Sequence, residues 1–216
     1  YSNSFFGAIK SLFFIYIVNA FNKKCKINIH VHRGDLQFFL NKSNINIFIF
    51  KLIEKKSNKI LLLSLNDLKF LSNKFKSSKS YVLKNCINRE SCFIEKRNNK
   101  IKFLYLSNYI FEKGILELLQ EFSLINENIE LECFGNFSDT DLKNKILTYQ
   151  RDNIKIFGPI SGNSKFEKIN ECDCLILPSK NEGMPLVLIE AMSTGTPFIS
   201  TNVGFINENI INDYPL

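Results

Sequence analysis

The sequence predicts an α/β protein built from two Rossmann-like domains, of which the first is incomplete. Short apolar runs alternate with amphipathic segments along most of the 216 residues, which is typical of βα units on parallel sheets. The charge also changes along the chain. Residues 1–100 hold 19 of the 28 Lys and Arg and 5 of the 21 Asp and Glu, whereas residues 101–216 hold the other 9 and 16. We therefore expect domains at 1–87 and 101–216, joined by a polar linker at 88–100.

In the first domain, a helix and three strands are expected around a lysine-rich stretch. The helix is the apolar segment Phe5–Phe21, for which three interpretations stay open: a core helix, a helix at a membrane interface, or a membrane span or signal anchor. Its length and Lys10 make it marginal for a span. Strands are expected at 26–32, 59–65 and 80–85, with a further helix at 66–75.

In the second domain, strands and helices alternate regularly. Apolar residues at helical spacing, such as Ile115, Leu118, Leu119 and Phe122, distinguish the helices from the short strands. Strands are expected at 101–107, 129–135, 154–158, 174–179 and 197–201, and helices at 113–125, 141–150, 165–170, 185–193 and 205–211. Such sheets bind ligands beyond the carboxyl ends of their strands.

The cysteines and histidines predict no metal centre. The six cysteines show no paired spacing, and two histidines cannot complete a zinc site. We expect reduced cysteines. Asp139-Thr140-Asp141 spells D-x-D, a pattern that can hold a divalent metal, but just ahead of a helix Ser138 and the aspartates are expected to act as caps.

The segment LPSKNEGMPLVLIEAM is the strongest candidate site. Gly183 would allow close backbone approach to a ligand, and Pro185 is suited to be the first helical residue. The amides at 186–188 would then form an anion site at a helix N-terminus. Glu182 and Glu190 could accept hydrogen bonds from sugar hydroxyls. From these residues alone, an ordinary helix with an acidic N-terminal flank remains equally open.

The wider run from Pro178 to Gly204 resembles the E-x7-E signature of family 4 glycosyltransferases, which have the GT-B fold of two Rossmann-like domains facing a cleft. The matching positions are Pro178, Ser179, Glu182, Gly183, Glu190, Ala191, Met192, Gly195, Pro197, Thr201 and Gly204. The resemblance implies that Glu182 contacts the donor sugar and supports positive charge at its anomeric carbon, and that Glu190 holds the ribose. It also implies that the loop and helix start meet the sugar and diphosphate through the backbone of Met184, Pro185, Leu186 and Val187.

Upstream, Leu106–Gly114 resembles the G-R-L-x-x-x-K-G element, whose arginine and lysine neutralise the donor diphosphate. Lys113 matches the lysine, whereas Asn108 replaces the arginine and removes one charge. The segment Phe157–Ile160 falls where the family's base-contacting loop begins.

In the first domain, the segment INIHVHRGD resembles the family's H-x-H-G element, with Arg33 where glycine is common. His32 matches the histidine that approaches the donor sugar and the reaction centre, although a structural role is equally open. His30 is more simply a structural group. The segment Tyr81–Asn88 resembles a V-x-P-N-G-I-D turn.

The resemblance implies a retaining glycosyltransferase that moves a sugar from a UDP- or GDP-sugar to a hydroxyl of a saccharide or lipid-linked acceptor, as in bacterial surface-polysaccharide biosynthesis. It implies neither a cofactor nor a metal ion. The alternatives are a non-catalytic nucleotide-sugar-binding fragment, since both ends suggest truncation, and a nucleotide-sugar epimerase of the same fold. The basic first domain suggests peripheral contact with an anionic membrane, and hence a cytoplasmic protein at the inner face of the plasma membrane. Nucleic acid is not expected as a partner.

Overall fold

The computed structural model describes residues 4–32, 34–75, 79–87, 100–125 and 128–210. Within this part the chain divides into two compact units. The first comprises the residues up to Asn85, together with Glu182–Met184 and the segment that begins at Val203, and the second comprises Cys86–Asn181 and Pro185–Asn202. The expected linker at 88–100 lies outside the described residues except for Lys100.

The first unit contains a three-stranded parallel sheet in the order β1-β2-β3. Its elements are α1 (Phe5–Phe21), β1 (Asn28–Val31), α2 (Leu36–Lys42), α3 (Asn44–Lys56), β2 (Lys59–Leu62), α4 (Leu65–Phe75), β3 (Ser80–Val82) and α9 (Ile206–Ile210). Helix α3 was not expected in the lysine-rich stretch. Ser43 caps it by accepting a hydrogen bond from the Ile45 amide (3.2 Å), and Ile49, Phe50 and Ile53 recur at helical spacing in the core.

Helix α1 packs against α3 and contributes Ala8 and Ile15 to the core of the first unit. Its other side carries exposed aromatic rings, including Phe6 (82% exposed) and Phe13 (63%). No helix in the described part of the chain combines the length and the hydropathy that crossing a membrane requires.

The second unit contains a five-stranded, all-parallel sheet in the order β6-β5-β4-β7-β8. Its elements are β4 (Ile101–Leu106), a 3-10 turn (Phe111–Lys113), α5 (Ile115–Leu124), β5 (Ile129–Phe134), α6 (Thr140–Leu147), β6 (Ile154–Phe157), α7 (Gly162–Glu171), β7 (Cys174–Leu177), α8 (Leu186–Thr194) and β8 (Phe198–Ser200). The chain runs outward from β4 through β5 to β6 and then returns to β7 on the other side of β4. Strand order therefore reverses beside β4, the position at which α/β sheets bind ligands. The expected α/β class with parallel sheets is confirmed.

Several helix starts differ from the sequence-based expectations. Asp139 does cap α6, because its carboxylate accepts a hydrogen bond from the Leu142 amide (2.7 Å). The expectation for Ser138 was wrong, since its hydroxyl donates to the Tyr109 carbonyl instead (3.5 Å). Pro185 is the N-cap of α8 and not its first residue, because its ψ of 126° is extended and the helix begins at Leu186.

Candidate functional site

The second unit has a groove of about 290 Å³ at the carboxyl ends of β4, β5 and β6. It lies where the topology predicts a ligand site, beside the strand at which sheet order reverses. The residues lining it come from the ends of these strands and the turns after them, from α7 and from the first half of α8. They are Leu106, Ser107, Asn108, Phe134, Gly135, Asn136, Pro159, Ile160, Lys165, Leu186, Val187 and Glu190.

An ion pair forms the charged part of this groove. The Nζ atom of Lys165, on α7, lies 2.6 Å from Oε1 of Glu190, on α8. The Glu190 side chain is 7% exposed and that of Lys165 is 26% exposed. Helices α7 and α8 pack against each other, which brings the two residues together. A carboxylate so far from bulk water needs such a partner, because an isolated charge is costly to bury.

The first turn of α8 forms another wall of the groove through Leu186 and Val187. The first amides of an α-helix have no partner within the helix, and the helix dipole favours negative charge near them. Asn108, two residues after the end of β4, also lines the groove. The structure therefore brings together Asn108, Leu186, Val187 and Glu190 from the residues predicted to bind the donor.

The groove lining does not include Lys113, Gly183, Met184 or Pro185, which the sequence also predicts to bind the donor. Lys113 ends the 3-10 turn and is half-buried, and its carbonyl accepts a hydrogen bond from the Tyr105 hydroxyl (3.4 Å). Gly183 and Met184 belong to the first unit, as does Glu182.

In the first unit, three glycines meet in what we call the glycine junction: Gly34, Gly183 and Gly204. A Cβ atom on Gly183 would lie 2.1 Å from the carbonyl oxygen of His32, and one on Gly34 would lie 2.3 Å from that of Glu182. Gly204 has a positive φ of 61°, and a Cβ there would lie 2.1 Å from the Glu182 carbonyl oxygen. Only glycine avoids these overlaps, so the junction lets the end of β1 approach the loop that carries Glu182.

His32 and Met184 have defined surroundings beside this junction. The centroid of the His32 ring lies 4.0 Å from that of His30. Partial burial, and then the neighbouring His30, lower the pKa of His32, which favours its neutral form at neutral pH. Met184 is buried, and its carbonyl accepts a hydrogen bond from the Asn85 side chain (2.7 Å). Arg33, at the position where the H-x-H-G element has glycine, lies outside the described residues.

Lys165 is the charged residue of the groove that the sequence did not predict. It stands in the sequence as one of many lysines on an expected helix, and its partner Glu190 is 25 positions further along the chain. Pro159 and Ile160, by contrast, lie in the segment expected to begin a base-contacting loop, and both line the groove.

Comparison with known proteins gives a consistent result. The family model of glycosyl transferases group 1 matches residues 88–215, more than half of the chain. The uncharacterized glycosyltransferase MJ1178 of Methanocaldococcus jannaschii is 25% identical over 184 residues, which are 84% of this chain and 50% of that protein. The capsular polysaccharide biosynthesis glycosyltransferase CapH of Staphylococcus aureus is 29% identical over 192 residues, 87% of this chain and 48% of CapH.

The chain thus spans about half the length of these curated relatives. Among solved structures, HepE of Anabaena in complex with UDP-glucose has a TM-score of 0.70 at 16% identity, and the match covers 92% of this chain and 59% of HepE. The fold of the matched part is therefore that of the GT-B glycosyltransferases.

Proposed function

The chain belongs to the glycosyl transferases group 1 family, and on that premise we propose that it is a retaining glycosyltransferase. It transfers a sugar from a UDP- or GDP-sugar to a hydroxyl of a saccharide or lipid-linked acceptor. The observation that carries the proposal is the groove beyond β4, β5 and β6, where the buried carboxylate of Glu190 and the start of α8 lie together.

The groove suits a nucleoside diphosphate chemically. Glu190 accepts hydrogen bonds from the ribose hydroxyls, because an ionised carboxylate is purely an acceptor. The amides of Leu186 and Val187 face the diphosphate at the helix N-terminus. Asn108 and the turn at Pro159 and Ile160 supply the remaining polar and apolar contacts for the nucleotide.

We propose that Glu182 and His32 act at the transferred sugar, Glu182 by supporting positive charge at the anomeric carbon. The backbone at Gly183, Met184 and Pro185 contacts the sugar and the diphosphate. Lys113 neutralises the departing diphosphate without a metal ion. Catalysis then depends on positioning the reactants and on electrostatic stabilisation of the leaving group. These roles rest on the resemblance of the motifs, and neither cofactor nor metal is assigned to them.

We infer the class of acceptor from a related protein, and the location from the charge of the first 100 residues. CapH is a capsular polysaccharide biosynthesis glycosyltransferase, which supports a role in bacterial surface-polysaccharide biosynthesis. The basic residues 1–100 and the exposed aromatic rings of α1 support peripheral contact with an anionic membrane at the cytoplasmic face.

The test is nucleotide binding and turnover. Calorimetry should show binding of UDP or GDP to the wild type and about tenfold weaker binding to the Glu190→Gln variant, which loses a charged hydrogen-bond acceptor. Glu167→Gln is the matched control, since Glu167 is an exposed glutamate on the neighbouring helix α7. Equal affinity of wild type and Glu190→Gln would contradict the ribose role.

Turnover separates the transferase from the other two possibilities. With an acceptor glycan and a nucleotide sugar, a transferase releases nucleoside diphosphate in proportion to the product glycoside. Release without acceptor would favour an epimerase. Binding without release, under conditions in which a related enzyme is active, would favour a non-catalytic binding protein.

A further inference from the structure

The Lys165–Glu190 pair has a chemical property that neither residue has alone. An ammonium group is purely a hydrogen-bond donor, with three N–H bonds, and a carboxylate is purely an acceptor. Their mutual contact at 2.6 Å uses one N–H and involves Oε1. Further donor capacity on Lys165 and the second oxygen of Glu190 therefore lie side by side in the wall of the groove.

A hydroxyl group is the ligand that such a pair recognises best, because it donates one hydrogen bond and also accepts others. It can donate to Glu190 while it accepts from Lys165. Hydrogen bonds to ionised groups are stronger than those between neutral groups, and both of these would be charge-assisted. A hydrogen atom in place of the hydroxyl would satisfy neither partner.

The stability of the fold alone does not explain why the Lys165–Glu190 ion pair is present. Buried ion pairs often contribute little net stability, because desolvating both charges costs about as much as their attraction returns. Placing the pair in an open groove, with the lysine side chain 26% exposed, leaves its donors accessible to a ligand. Of the described residues that line the groove, Lys165 and Glu190 are the ones that carry charge.

We propose that Lys165 is a specificity-determining residue that acts together with Glu190 on one ribose hydroxyl of the nucleotide sugar. The hydroxyl donates a hydrogen bond to Glu190 and accepts one from Lys165. The inference rests on the proposed function, and it adds a residue and a mode of recognition to it. Lys165 also keeps the Glu190 carboxylate in place through the contact with Oε1. Because both residues contact the hydroxyl, Lys165 contributes to the selection of ribonucleotides over deoxyribonucleotides.

The experiment compares UDP with 2′-deoxy-UDP and 3′-deoxy-UDP, or the corresponding guanosine nucleotides if GDP binds more tightly. Affinities are measured by calorimetry for wild type, Lys165→Met and Lys165→Arg. In the wild type, removal of the recognised hydroxyl should weaken binding at least tenfold. In Lys165→Met the ratio of the affinity for the ribonucleotide to that for the deoxynucleotide should fall to a few-fold. Lys165→Arg, which keeps a charged hydrogen-bond donor, should retain most of this ratio.

The ratio of two affinities within one preparation does not depend on the fraction of folded protein, so a destabilised Lys165→Met variant remains informative. Lys145→Met is the matched control, because Lys145 is exposed on α6 of the same unit. An unchanged ratio in Lys165→Met, with UDP binding intact in the wild type, overturns this inference alone. Failure of the wild type to bind either ribonucleotide overturns the proposed function and this inference together.

Discussion

Replacing Gly183 with alanine tests the glycine junction directly. The new Cβ atom would lie 2.1 Å from the His32 carbonyl oxygen and 3.2 Å from Cδ1 of Leu63. Carbon and oxygen atoms in proteins rarely approach closer than about 3.3 Å, so one of the two backbones has to move by roughly 1 Å. No positive φ is involved at Gly183, and the cost is therefore one of steric overlap.

The expected magnitude combines two opposing effects. Overpacking against a fixed backbone costs about 1–3 kcal/mol. A glycine-to-alanine change also lowers the conformational entropy of the unfolded chain, which stabilises the folded state by about 0.4–1 kcal/mol. We expect Gly183→Ala to lower the free energy of unfolding by about 1–2 kcal/mol.

Gly158→Ala is the matched control, because a Cβ there meets no atom within 4 Å. It should be neutral or stabilising by up to about 1 kcal/mol. The chain has no tryptophan, so urea unfolding is best followed by far-ultraviolet circular dichroism. The reasoning is refuted if Gly183→Ala and Gly158→Ala unfold at the same urea concentration.

Three further predictions concern carboxylates in defined surroundings. Burial raises the pKa of Asp67 to about 6 from 3.8, so the folded state holds this proton more tightly and stability falls as the pH rises from about 4 to about 6. Asp67→Asn should gain stability relative to wild type across that interval in urea titrations, and a difference that does not change with pH would contradict this. Asp139→Ala should cost about 1 kcal/mol by removing the N-cap of α6. Asp141→Ala, in the first turn of the same helix, should cost about 0.3 kcal/mol, and equal losses in thermal unfolding would show that Asp139 does not act as the cap. Glu208 accepts hydrogen bonds at the start of α4 from the Ser64 hydroxyl and the Leu65 amide (2.5 and 2.6 Å), so Glu208→Ala should destabilise the first unit by about 1 kcal/mol. The same change should lower the pKa of Asp67, since the Glu208 charge contributes to raising it, and an unshifted pH dependence would refute the coupling.

The fold could be predicted wherever burial imposed a clear period on the sequence. Strand β5 (Ile129–Phe134) has apolar residues at every second position, separated by Glu130 and Glu132, and such a period of two predicts a strand. Helix α3 was missed because its first residues include asparagine and isoleucine, which are moderate helix formers. The strand expected at 59–65 ends at Leu62, because the hydroxyl of Ser64 accepts hydrogen bonds from the amides at the start of α4.

The candidate groove could be predicted only in part. Leu186, Val187 and Glu190 were identified because one contiguous motif carries them, and Asn108 because it occupies the arginine position of the segment that resembles the G-R-L-x-x-x-K-G element. Lys165 was not, since its position in the groove depends on the packing of α7 against α8 and not on a local pattern. A lysine on an amphipathic helix carries no sequence signal for a charge partner on another helix.

Gly183 shows how the structure changes the meaning of a motif. The sequence suggested that this glycine lets a ligand approach the backbone, whereas in the first unit the neighbour that a Cβ would meet first is the carbonyl of His32. Two segments carry the predicted catalytic residues, one ending in His32 and the other containing Glu182. Their close packing therefore requires that residue 183 has no side chain. Because a Gly183→Ala change would displace one of these segments relative to the other, it should lower the turnover number more than a substitution at an exposed position next to either segment. A variant that loses stability and keeps full turnover would separate the junction from catalysis.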